Sequence, residues 1–112
     1  MNFYDKVHEL VKNLKQTPEF SNYMHIKNQV KENEELYSLI REFKTIQRQE
    51  QMKYINGKGI DEKIKEELQQ KYSIIIKNPL GLEYIQSEIK LDVLLADMQK
   101  ILSEGLKDAY EI

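Results

Sequence analysis

The chain has 112 residues, 40% apolar and 32% charged, with 17 basic and 19 acidic side chains for a formal net charge of −2. That length allows one domain around a single thin core, and four glycines, two prolines and no tryptophan supply too little turn chemistry for an all-β fold. The absence of cysteine excludes disulfides, thiolate nucleophiles, Cys-ligated zinc and ordinary iron–sulfur clusters, and the interspersed charges leave no strongly basic half to attract nucleic acid.

The first predicted helix covers about residues 3–16, with Phe3, Val7, Leu10 and Leu14 on one stripe, Val11 beside it and Asn2 as its cap. No signal-peptide core precedes this amphipathic pattern, and no run approaches the roughly 18 apolar residues that span a membrane, so a cytoplasmic location without membrane insertion is expected. At Thr17-Pro18-Glu19 the chain restarts. Thr17 can accept a terminal N–H, and Pro18 suits the first helical position, where no donor is needed. The second helix then carries Phe20, Tyr23, Met24 and Val30 inward, to about Glu32.

Asn33 followed by Glu34 and Glu35 is another cap with acids placed favourably for the helix dipole. The third helix runs to about Ile55 on a stripe of Leu36, Leu39, Ile40, Phe43 and Ile46. From Gln47 to Lys53 the stripe fades to Met52 alone, the pattern of a helix held by its neighbours or projecting from them. Asn56-Gly57-Lys58-Gly59 is the one clear turn, and a fourth helix over about residues 60–77 follows, with Ile60, Ile64, Leu68, Tyr72 and Ile75 as its inner edge.

Asn78-Pro79 opens the longest helix, about residues 79–109. At 100° per residue, Leu82, Ile85, Ile89, Val93 and Ala96 form one narrow stripe. Leu91, Leu94, Leu95, Met98, Ile101 and Leu102 form another on the opposite side, with Glu88, Lys90, Asp92, Asp97 and Gln99 in the seams. Two opposed apolar stripes need cover on both sides. One solution is a central helix in a monomeric bundle; the other uses a second copy of the chain, with Leu91, Leu94, Leu95, Met98, Ile101 and Leu102 as the self-association surface. The expected architecture is all-α: about five helices, two short N-terminal ones and then longer ones. They form one domain over residues 1–112, an antiparallel bundle completed by dimerisation or a larger homo-oligomer.

No constellation for catalysis emerges. His8 and His25 lie on different helices without metal-ligand spacing, and the Glu34-Glu35 and Glu66-Glu67 pairs sit side by side on helix surfaces rather than facing a cleft. Ser21, Ser38, Ser73, Ser87 and Ser103 all fall within helices and lack a nucleophile elbow, and Gly57-Lys58-Gly59 is too short to cradle phosphate. One face of the third helix carries Arg41, Lys44 and Arg48, with Lys53 further along and Tyr37 nearby. These residues are the candidate partner surface, or, in an alternative reading, an RNA-binding module. Glu42 and Glu50 flank that stripe, and phosphate binding ordinarily needs a more concentrated basic field, so direct nucleic-acid binding is not expected.

The order of these features resembles the YheA/YmcA/YlbF helical family of Firmicutes. The resemblance begins with Tyr4-Asp5-Lys6 opening a helix that carries Leu10 and Leu14, then the segment from Lys15 to Tyr23 and Lys27. It continues through the Asn33-Glu34-Glu35-Leu36 restart, Phe43 followed by Gln47 and Gln51, Asn78-Pro79 before a long helix, and an ending around Leu95-Ala96-Asp97 and Ile101 to Leu106. The resemblance implies an all-α, self-associating protein without catalytic residues. It also implies relatives that regulate competence, sporulation and biofilm formation in a complex influencing RNA processing by a membrane-bound ribonuclease. Some such relatives hold iron–sulfur clusters on cysteines; this chain has none, so no cofactor is expected.

Overall fold

The computed structural model describes residues 2–59 and 61–111. Among them lie six helices and no strand: α1 (Phe3–Lys15), α2 (Pro18–Glu32), α3 (Glu34–Ile55), α4 (Glu62–Lys77), α5 (Pro79–Gly105) and α6 (Lys107–Tyr110).

Side-chain caps explain why the helices begin where they do. Asn2 and Asp5 form a reciprocal capping box, in which the Asp5 N–H donates to Asn2 Oδ1 at 2.9 Å. Thr17 Oγ1 donates to the Leu14 carbonyl at 2.7 Å and accepts from the Phe20 N–H at 3.3 Å, closing α1 and opening α2 together. Asn33 Oδ1 accepts from Leu36 N–H at 3.2 Å, and Asn78 Oδ1 accepts from both Leu80 and Gly81 N–H, at 2.9 and 3.2 Å. Each such cap stabilises its helix by about 1 kcal/mol.

Two boundaries differ from the sequence reading. The fourth helix starts at Glu62, capped by Asp61 through the Lys63 N–H at 2.9 Å, and Ile60 lies outside the described residues. The long last helix stops at Gly105, and Leu106 separates it from the single turn of α6. Glycine is a poor helix former, and the break follows directly on Gly105.

The helices group into two compact units, one of residues up to His25 together with those from Gln86 onward, the other Ile26–Ile85. In the Ile26–Ile85 unit, α3 and α4 form an antiparallel hairpin. Its connection begins with a Schellman-type closure: Gly57 takes φ +78°, the Gly57 N–H donates to the Tyr54 carbonyl at 3.1 Å, and the Lys58 N–H donates to that of Lys53 at 2.9 Å. Along the hairpin the Phe43 and Tyr72 rings lie 5.9 Å apart at 37°, and Lys71 Nζ reaches Glu42 Oε2 at 3.2 Å.

This unit holds nearly all of the enclosed core: Ile26, Val30, Leu36, Ile40, Phe43, Ile75, Tyr84 and Ile85, with Ile75 fully shielded from water. On α2 the buried edge passes through Ile26 and Val30, so the helix is turned further than the expected Phe20, Tyr23, Met24 and Val30 face; Phe20, Tyr23 and Met24 are only half-buried. At the α4–α5 corner, a Cβ on Gly81 would collide with the Ile75 carbonyl oxygen and come within 3.2 Å of Ile75 Cγ2. Only glycine permits that approach.

The other unit is built differently. Among the described residues, Leu91 and Ser87 are its buried ones, and α1 contributes none.

Candidate interaction surfaces

Helix α1 displays its apolar stripe to solvent along its length: Phe3 is 73% exposed, Tyr4, Val7, Leu10 and Val11 are exposed with it, and Leu14 alone is half-buried. In the same unit the outer face of α5 exposes Ile89 and Val93, each at 55%, and its last turns expose Ile101 and Leu102. Scattered exposed apolar side chains are ordinary on any protein. Here, however, they fall on the apolar sides of two amphipathic helices, in a unit with almost no interior of its own.

The six residues expected to self-associate are divided by the fold. Leu91 is buried within the chain, Leu94, Leu95 and Met98 are half-buried, and Ile101 and Leu102 are open. Of the opposed stripe, Ile85 is buried, while Leu82, Ile89, Val93 and Ala96 are exposed. Inward and outward stripes look alike in sequence, since both alternate with the same polar seams. Choosing between them requires the packing around each stripe, which periodicity does not carry.

The basic residues of α3 are each engaged locally. The Arg41 guanidinium lies over the Tyr37 ring at 5.4 Å, and Lys44 Nζ lies over the Tyr84 ring at 5.2 Å. Arg48 Nε donates to the Lys44 carbonyl at 3.4 Å, and Lys53 Nζ lies 3.2 Å from Glu50 Oε1. Arg41 and Arg48 share an exposed face, whereas Lys53 falls on a different side of the helix. Next to Arg41, a shallow depression is lined by Ser38, Glu42, Thr45, Ile46 and Glu67, so its acids oppose its one cation.

A second surface, missed in the sequence, lies where α3 and α4 approach their connection. A groove of about 460 Å³ runs between Gln47, Gln51, Tyr54 and Ile55 on one side and Lys65 and Leu68 on the other, and its walls are almost wholly apolar. Glu50 also lines it, with both carboxylate oxygens shielded from water and neither accepting a hydrogen bond. Its charge is met by Lys53, whose Nζ lies 3.2 Å from Oε1 one turn along the same helix. Sequence reading placed Glu50 in a polar run; no local signal distinguishes a carboxylate that faces inward from one that faces water.

His8 and His25 are both exposed, and among the described residues no group of three or more His, Cys, Asp or Glu side chains is placed to hold a metal ion. No helix among them is long and apolar enough to cross a membrane.

Residues 3–107 match the family described as control of competence regulator ComK, YlbF/YmcA. A UPF0342 protein of Caldicellulosiruptor saccharolyticus is 36% identical over 109 residues, covering 96% of this chain and 91% of its own length. Another, from Halothermothrix orenii, is 34% identical over 107 residues with the same coverage, 96% and 91%. A solved structure described as a protein of unknown function (DUF964) from Bacillus stearothermophilus superposes with a TM-score of 0.79, covering 96% of this chain and 95% of that one. At 17% identity, that likeness bears on the fold.

Proposed function

Because the chain belongs to the YlbF/YmcA family, linked to control of the competence regulator ComK, we propose that it is a non-enzymatic regulatory adaptor. It acts in the cytoplasm as a single helical domain, through self-association and protein–protein contacts, and holds no cofactor. The open apolar stripe of α1, in a unit that among the described residues buries only Leu91 and Ser87, supports this reading most directly. Fully covering a side chain of the Val, Leu or Phe class contributes about 1.5–3 kcal/mol. Association costs about 4–15 kcal/mol, so several such residues must be covered together. Phe3, Val7 and Leu10 of α1, with Ile101 and Leu102 of α5, offer that number, and the half-buried Leu94, Leu95 and Met98 would add to it.

The test is sedimentation of the purified chain at tens of micromolar. A dimer or larger species is expected. Val7→Asp with Leu10→Asp should convert it to monomer with its far-UV helix signal retained, since neither side chain is enclosed in the fold. A wild-type protein that remains monomeric under these conditions would falsify self-association. RNA binding through Arg41, Lys44, Arg48 and Lys53 is the weaker reading, because those cations are engaged within the chain and stand among Glu42, Glu50 and Glu67.

A further inference from the structure

We propose that Asn56-Gly57, at the end of α3, is a self-modification site: when the helix end opens, the Gly57 nitrogen closes on the Asn56 side chain and the chain is rebuilt there as isoaspartate. Of the seven asparagines, only Asn56 precedes a glycine, whose nitrogen approaches without a Cβ to crowd it. Asn13, Asn22 and Asn28 lie inside helices, before Leu14, Tyr23 and Gln29. Asn2 and Asn33 hold helix N–H groups on their side-chain oxygens. Asn78 precedes Pro79, whose nitrogen carries no proton to lose.

The step needs only base and water. Base removes the Gly57 amide proton, and the nitrogen attacks Asn56 Cγ. The new N–Cγ bond replaces Cγ–Nδ2, ammonia leaves, and a cyclic imide remains. Water then adds to either imide carbonyl. Breaking the N–Cγ bond leaves aspartate on an unaltered backbone. Breaking the bond from nitrogen to the Asn56 main-chain carbon leaves isoaspartate, with the chain running through Cγ and lengthened by a methylene group.

The closed turn opposes this step, because attack requires the nitrogen and Cγ to be in near contact. At the Asn56 ψ of 10° the Gly57 nitrogen is rotated away from the Asn56 side chain, and its N–H donates to the Tyr54 carbonyl at 3.1 Å. The same turn opens readily. Residues 51–59 are all exposed, Tyr54 and Ile55 at 71% and 74%, and nothing lies within 4 Å of a Cβ placed on Gly57 or Gly59. Helix ends without enclosed side chains fray at little cost in free energy. Asp61 caps α4 separately, so the opening stays at the end of α3. Once isoaspartate has formed, the added methylene displaces the Lys58 N–H from the Lys53 carbonyl that it reaches at 2.9 Å. The new carboxylate also stands at the negative end of the α3 dipole. Both changes oppose closure of the turn, so α3 loses its terminal latch.

The experiment incubates the full chain in mildly alkaline buffer, with and without urea, and follows each asparagine by peptide mass mapping. In native buffer Asn56 should gain the mass of an amide-to-acid conversion faster than any other asparagine, with isoaspartate and aspartate as products and a rate proportional to hydroxide. The rate in urea should be higher, because the turn no longer gates the step. Asn56→Gln, which cannot form the same ring, should keep its far-UV helix signal and lose the isoaspartate. In the aged protein, hydrogen exchange at the Lys58 amide should quicken by about tenfold, equivalent to about 1.4 kcal/mol of lost closure, and by more than in freshly prepared Asn56→Asp. Conversion of Asn56 in urea but not in native buffer would overturn the proposal, as would equal rates in the two. So would an Asn56 no faster than the other asparagines, isoaspartate that persists in Asn56→Gln, or unchanged exchange at Lys58 after conversion.

Discussion

Replacing Gly81 by alanine sets two effects of known sign against each other. In a helix interior the change favours the folded state by about 0.8–1.0 kcal/mol, because glycine gives up more backbone freedom. Gly81 lies in the first turn of α5, so propensity alone predicts a gain of at most that size. The structure predicts a loss. The new methyl group would overlap the Ile75 carbonyl oxygen, which accepts from the Asn78 N–H at 3.2 Å, and would press on Ile75 Cγ2. That obstacle is backbone, attached to a residue with no solvent exposure, so neither partner can rotate aside.

Overpacking of this kind costs about 1–3 kcal/mol, and a backbone collision belongs at the upper end. The net expectation is a destabilisation of about 2 kcal/mol. Urea dependences for small proteins are about 1–3 kcal/mol per molar, so the midpoint measured by far-UV circular dichroism should fall by about 1 M. Gly105→Ala is the control. Nothing lies within 4 Å of its added methyl group, and it should hold or raise the midpoint. Protein concentration must be fixed throughout, since any association shifts apparent stability. If Gly81→Ala matches or exceeds wild type, the tight α4–α5 corner is not what selects glycine.

Asn78→Ala removes the acceptor for two N–H groups at the head of α5 and should cost about 1 kcal/mol, lowering the thermal midpoint by about 4 °C, whereas Asn78→Asp should retain most of the stability. Arg41→Glu with Arg48→Glu should leave helix content and sedimentation unchanged. A wild-type gel shift with single-stranded RNA at low salt that this double variant abolishes would instead favour the nucleic-acid reading.

The parts of this fold that were legible in sequence are those set by neighbours along the chain. Asn2, Thr17, Asn33 and Asn78 announce helix starts because a side-chain oxygen two or three residues from an N–H needs no tertiary context. The inner stripe of α3 was legible too, since only one of its faces is apolar. On α5 periodicity identifies two faces and cannot rank them, so the enclosure of Leu91 and the exposure of Val93 followed only from the packed structure. Glu50 was hidden for a related reason: its sequence surroundings, Gln47 to Lys53, are those of a solvated face, and its burial comes from the neighbouring hairpin geometry. Gly81 gave no signal because the obstructing Ile75 carbonyl belongs to the preceding helix.

The uneven distribution of the core has a consequence for cooperativity. Around Ile75, several helices lose their enclosed contacts together, so that region opens as one event and sets the free energy of global unfolding. Helix α1 has 13 residues and no enclosed side chain, close to the length at which an isolated helix is only marginal in water. Its opening sacrifices little burial and need not involve the rest of the chain. A single unfolding free energy therefore describes the Ile26–Ile85 unit and not α1. Opening of the first helix is a local event, separate from the unfolding of the Ile26–Ile85 unit.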